Sequence, residues 1–77
     1  MKSKNINLIL SVTVPLIFKN TREFHKLDQR QFAEKIGCTQ GTVSKIENGK
    51  MLPTLENMVL FCHNFDAKID DFTRILE

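Results

Sequence analysis

Apolar side chains recur along most of this chain at intervals of three and four residues, the period at which one face of an α-helix repeats. Val14, Ile17, Phe18, Thr21 and His25 form one such row. It predicts a first helix with Pro15 in its opening turn, Thr13 or Val14 as the flanking cap, and an end near His25. Proline is tolerated in a first turn because the amide hydrogen it lacks would have no helical partner there. Upstream, the pattern supports two readings. Ile6, Leu8, Leu10 and Val12 alternate like one face of a strand, whereas Ile6, Ile9, Leu10 and Thr13 keep helical spacing. Residues 1–13 are therefore set apart as an apolar arm that is free to be extended, ahead of a domain spanning residues 14–77.

The following rows are short, and capping residues punctuate them. Asp28 has Gln31 three positions on, so its carboxylate can accept the free amide hydrogens of a first turn. Phe32, Ala33 and Ile36 supply the buried stripe of this second helix, and Gly37 its left-handed stop. Thr39 caps a third helix, Gln40–Asn48, whose apolar residues are Val43 and Ile46, with Asn48-Gly49 ending it. Residues 50–53 read as a loop, since the residue before a proline is disfavoured in a helix. Thr54 caps a fourth helix with Leu55, Met58, Val59, Cys62 and Phe65 at helical spacing and Phe61 beside them. A short fifth, from about Asp70 to Leu76, offers Phe72, Ile75 and Leu76. The expected fold is all-α, a compact bundle of about five short helices.

Composition narrows the choice of function. A length of 77 residues suits one domain with a modest core. Without Trp or Tyr, the six Phe and the aliphatic residues must fill it. No apolar run reaches the roughly 20 residues of a membrane span. Residues 6–18 follow Lys2 and Lys4 as a signal peptide would. However, Thr13, Pro15 and Lys19 interrupt the stretch and no small-residue cleavage site follows, so a cytoplasmic protein is expected. Cys38 and Cys62 lack the paired spacing of a zinc site and read as small, reduced, buried residues. No metal and no cofactor is expected. His25 and His63 are the only histidines, and neither stands in a nucleophile–base or metal-ligand pattern, so an enzyme is not expected. The net charge of +2 conceals an asymmetry. Residues 1–50 hold nine Lys and Arg against four acids, and residues 51–77 hold two against five. A basic front and an acidic back suit a protein that offers one face to a polyanion, although charge clusters are usually solvated surface.

The informative stretch is Leu27–Lys50, LDQRQFAEKIGCTQGTVSKIENGK. Two short helices around Gly37-Cys38-Thr39 form the arrangement in which one helix braces another against the major groove of DNA. Val43 and Ile46 anchor the third helix, which leaves Gln40, Gly41, Ser44 and Lys45 as its outer face. Polar side chains with both donors and acceptors are what reading base edges requires.

At these residues the chain resembles the Cro-like (XRE-type) helix-turn-helix family of phage and bacterial repressors. The match runs through Leu27-Asp28-Gln29, Phe32-Ala33, Gly37-Cys38-Thr39-Gln40, Val43-Ser44, Ile46-Glu47-Asn48-Gly49 and Pro53-Thr54, and covers about Val14 to Phe72. The resemblance implies a lambda-repressor-like DNA-binding domain. It implies base contacts from Gln40, Gly41, Ser44 and Lys45, and phosphate contacts from Gln29, Thr39, Asn48 and Lys50. It further implies an internal ion pair between Arg22 and Glu47. Four positions depart from the pattern, among them Asp28, which stands where Ser or Thr is common. Gly41 stands where relatives often carry a base-reading side chain, Asp66 where they prefer Gly or Asn, and Lys68 where they prefer a hydroxyl cap.

The function so implied is a sequence-specific double-stranded DNA-binding regulator, a repressor in particular, working as a homodimer on two-fold sites. Either the arm, Ile6–Val12, or the fifth helix, with Phe72, Ile75 and Leu76, can supply the dimer surface. The alternative is a protein-interaction module, such as an antitoxin-like partner or a bridging factor, which the arm and the acidic carboxyl-terminal third favour.

Overall fold

The computed structural model describes residues 4–73 of the chain. Five helices follow one another: α1 (Lys4–Phe24), α2 (Gln29–Ile36), α3 (Gln40–Glu47), α4 (Leu55–Phe65) and α5 (Asp70–Thr73). Among the described residues no helix is long and apolar enough to cross a membrane.

The first helix begins eleven residues before Pro15, not at it, and no break separates the expected arm from the domain. The helical reading of residues 6–13 prevails because it is in phase with the row that follows. Leu10, Val14, Ile17 and Phe18 fall on one face and enter one core, which a strand-like arm cannot achieve. Pro15 lies inside the helix and has no amide hydrogen to give the carbonyl of Ser11. The main chain of Gly49 lies against this spot. A Cβ there would stand 3.4 Å from the Ser11 oxygen and 3.8 Å from the Pro15 ring. Its φ of +73° is a further reason for glycine at this position.

The helix closes with two bonds, Leu27 N–H to the Arg22 carbonyl (3.1 Å) and Lys26 N–H to that of Glu23 (3.0 Å). This Schellman closure places Lys26 in the left-handed region, at φ +58°, where glycine is the usual occupant. At the end of α4, Asp66 does the same at φ +53°.

Four phenylalanines from four helices form the nucleus of the core. Phe18 of α1 stacks on Phe61 of α4 at 4.5 Å and meets Phe32 of α2 and Phe72 of α5 edge-on at 5.7 and 6.0 Å. Offset and edge-to-face arrangements suit the quadrupoles of the rings. Ala33, Ile36, Val43, Ile46 and Val14 complete the buried set.

On α4 the apolar row read from spacing is rotated. Leu55 and Val59 are exposed at 79% and 58%, whereas Asn57 and Phe61 are buried and Met58, Cys62 and Phe65 half-buried. The residue that decides the rotation is polar. Asn57 closes a capping box with Thr54 and donates from Nδ2 to the Ile36 carbonyl at the end of α2 (2.8 Å). Asn64, two turns on, donates to the Lys35 carbonyl (3.0 Å). Two asparagines thus secure the carbonyls of the last two residues of α2.

His25, read as part of the α1 row, is exposed, with its ring near those of Phe24 and Phe65. Before α5 there is no hydroxyl cap. Instead the Asp71 side chain accepts from the Lys68 amide at 3.0 Å. Phe72, considered as a dimer contact, is in the core, and Ile75 and Leu76 lie outside the described residues.

Two substitutions test these local accounts. Asn57→Ala leaves the Ile36 carbonyl buried without its donor and should lower stability by about 1–3 kcal/mol in urea denaturation. Lys26→Gly relieves a left-handed lysine and should raise stability by up to about 1 kcal/mol in the same measurement.

Candidate nucleic-acid interface

The turn between α2 and α3 is built from three residues with distinct tasks. Gly37, at φ +76°, reverses the chain, and its amide bonds back to the Ala33 carbonyl. A Cβ on it would come within 2.9 Å of Leu60 Cδ1, the movable end of a side chain, so it is the left-handed conformation that calls for glycine. Cys38 is half-buried against the core. Thr39 caps α3 by accepting from the Thr42 amide at 3.3 Å. Asp28 caps α2 in a reciprocal box with Gln31, its carboxylate accepting from the Gln31 amide at 2.8 Å.

Val43 and Ile46 fix the rotation of α3, both fully buried. Gln40, Gly41 and Lys45 are exposed on the other side and Ser44 is half-buried, so these four share one outward edge. Around them, Thr39, Asn48 and Lys50 are exposed and Gln29 is half-buried at the start of α2. Asn48 donates from Nδ2 to the Ser44 carbonyl at 2.8 Å, which steadies the end of α3. Gly41 is the least constrained of the set. A Cβ there meets only Thr39 Oγ1 at 3.9 Å, so nothing inside the domain demands glycine.

The edge is positioned by a hydrogen-bonded chain that begins well behind it. Arg22 on α1 donates Nε and Nη2 to the two carboxylate oxygens of Glu47 on α3, at 2.7 and 3.1 Å. Its Nη1 donates to the Leu27 carbonyl at 3.0 Å, which ties in the segment between α1 and α2. Glu47 Oε1 also accepts Gln29 Nε2 at 3.2 Å, and Gln29 Oε1 in turn accepts Gln40 Nε2 at 3.4 Å. The exposed Gln40 is therefore linked, through Gln29, to an ion pair whose side chains are 14% and 5% exposed. The hydrogen bond to Glu47 raises the pKa of the Arg22 guanidinium above its ordinary value, against desolvation, which lowers it.

The family resemblance implies Arg22 and Glu47 as a pair and points to Gln29 and Gln40 singly. It carries no sign that Gln29 joins the other three, because separations of 11 and 18 residues match no local rule.

Other chemistry is sparse. Among the described residues no group of three or more His, Cys, Asp or Glu is placed to hold a metal ion. Burial pushes the Cys38 thiol up from its usual range, and burial followed by the charge of Asp71 does the same for Cys62. Both therefore stay protonated near neutral pH and are poor nucleophiles.

Comparison with known proteins gives two matches. A family model described as helix-turn-helix matches residues 18–72. An uncharacterized helix-turn-helix-type transcriptional regulator of Methanocaldococcus jannaschii is 36% identical over 53 residues, which span 69% of this chain and 80% of the relative. No solved structure matches.

The ion pair yields a direct test. Glu47→Ala strands the Arg22 guanidinium in a largely buried position and releases Gln29, and should cost roughly 3–5 kcal/mol in thermal or urea unfolding. An unchanged melt would refute this account of the pair.

Proposed function

The chain belongs to the helix-turn-helix family, and from that premise we propose that it is a sequence-specific double-stranded DNA-binding regulator, a cytoplasmic repressor that reads the major groove with α3. The observation that carries this reading is the outward edge of α3, in which Gln40 is held in place by Gln29 and, behind it, by the Arg22–Glu47 pair.

In this reading Gln40 pairs with adenine. Its Oε1 and the second hydrogen on Nε2 remain for a base edge after the bond to Gln29 is made. Lys45 donates to guanine, and Ser44 reaches a base edge from the middle of the helix. Gly41 lets the backbone of α3 approach the groove closely. Gln29, Thr39, Asn48 and Lys50 hold phosphates at either end of α3, helped by the amides exposed at the start of α2. Asp28 works against this locally, since the carboxylate that caps α2 sits near the same phosphates. Two copies acting together place two such helices on the two half-sites of a palindrome.

A second reading is an interaction module for a protein partner. Its specific support is the exposure of Leu55 and Val59 on α4, in the acidic part of the chain.

Selection from randomised duplexes separates the two readings. A DNA reader should enrich a two-fold motif, and Gln40→Ala should erase preference at single positions at a cost of about 1–3 kcal/mol each. Lys50→Ala should instead weaken all sequences alike and reduce the salt slope of binding by about one. Absence of any enriched motif, with binding insensitive to salt, would favour the protein partner.

A further inference from the structure

A helix on the surface of a domain needs one apolar stripe, and α1 has two. Leu10, Val14, Ile17 and Phe18 face the core. On the opposite side Leu8, Val12 and Leu16, four residues apart, are exposed at 69%, 65% and 57%. Farther along the helix that outer side turns polar, with Lys19, Asn20 and Glu23. Between Leu8 and Phe18 α1 is thus apolar on both sides, which is the signature of a helix buried between two bodies.

We propose that the outer body is a second copy of this chain, packed through the same stripe across a two-fold axis at Val12. Three observations favour a like partner. The stripe is symmetric about its centre, Leu-Val-Leu at equal spacing, so an antiparallel crossing at Val12 seats Leu8 against the second copy's Leu16 and Leu16 against its Leu8. Such self-complementarity is what a two-fold contact demands. Rows spaced by four interdigitate when two helices cross at about −50°.

The stretch also carries no charge from Asn5 to Phe18. It therefore offers nothing to select a partner of opposite charge and nothing to repel its own copy. Finally, the stripe adjoins the DNA-facing unit. Gly49, directly after α3, lies against Ser11 and Pro15 on the neighbouring side of α1. A seam at Val12 therefore fixes the separation of two α3 helices, and this last point rests on the reading of α3 as the DNA-contacting element.

Three side chains with their flanks cover on the order of a few hundred Å² on each copy, against about 800 Å² in a standard interface. The seam is accordingly weak in free solution and is reinforced when both copies occupy one duplex, where the second contact becomes intramolecular.

Sedimentation velocity on the full chain, without DNA, tests the seam from low to several hundred micromolar. The wild type should pass from monomer to dimer across that range. Val12→Glu, Leu8→Lys and Leu16→Glu should each remain monomeric. Because the three sites are exposed, their melting temperatures should stay at the monomeric wild-type value.

The double variant Leu8→Lys with Leu16→Glu should dimerise again, since an antiparallel seam sets the introduced lysine against the introduced glutamate of the other copy. A wild type that stays monomeric throughout, or a dimer that the single variants leave intact, would overturn the proposal. So would failure of the double variant to recover, or uptake of the wild-type stripe by phosphatidylglycerol vesicles in place of dimerisation.

On a duplex with two half-sites, Val12→Glu should lose at least tenfold in affinity while keeping single-half-site affinity within twofold. Dimerisation that responds to the variants in a chain that binds no DNA would uphold the seam and count only against the DNA reading.

Discussion

Glu47 is the residue on which the arrangement turns. One carboxylate accepts two bonds from Arg22 and one from Gln29, so a single side chain near the end of α3 fastens it to α1 and to the start of α2. A charge this deeply placed is tolerated because its partner is a guanidinium, whose flat fork matches two carboxylate oxygens at once. Pairs of this kind contribute little net stability compared with apolar packing. What they contribute is orientation. The aromatic nucleus of Phe18, Phe32, Phe61 and Phe72 holds the helices together, but hydrophobic contact is not directional. The ion pair sets the angle at which α3 leaves the core, and Gln29 extends that control to Gln40 at the surface.

Much of the fold was legible in the chain, and the reason is capping. Asp28, Gly37, Thr39 and Thr54 each announce a helix boundary by a local mechanism, and α2, α3 and α4 begin where those residues place them. Buried residues on α2 and α3 were equally clear, because each helix offers a single apolar face. Reading failed where two faces competed. On α4 the exposed row, Leu55 and Val59, is as apolar as the buried one, and the choice rests on Asn57 finding the Ile36 carbonyl 21 residues earlier. On α1, Pro15 suggested a beginning, yet the helix runs through it. A proline is a local sign, whereas the phase shared by Leu10 and Val14 is expressed only once the core exists.

The candidate site divides along the same line. Which residues border α3 followed from spacing and from the family resemblance. How they are connected did not, since the bonds among Gln29, Gln40 and Glu47 join positions far apart in the chain. Capping is local, but orientation is tertiary. The left-handed Lys26 makes a related point: its residue type does not mark its conformation, which the helices on either side impose.

Gly41 carries a consequence for how such a surface changes over generations. A Cβ there would meet Thr39 Oγ1 at ordinary contact distance and would displace nothing. Buried positions in so small a molecule are committed to holding it together, and a replacement there is rejected before any effect on the surface matters. At position 41 the two demands are uncoupled. New chemistry can be installed on the outer edge of α3 in one step, so a change in what that edge touches would meet little resistance from the scaffold.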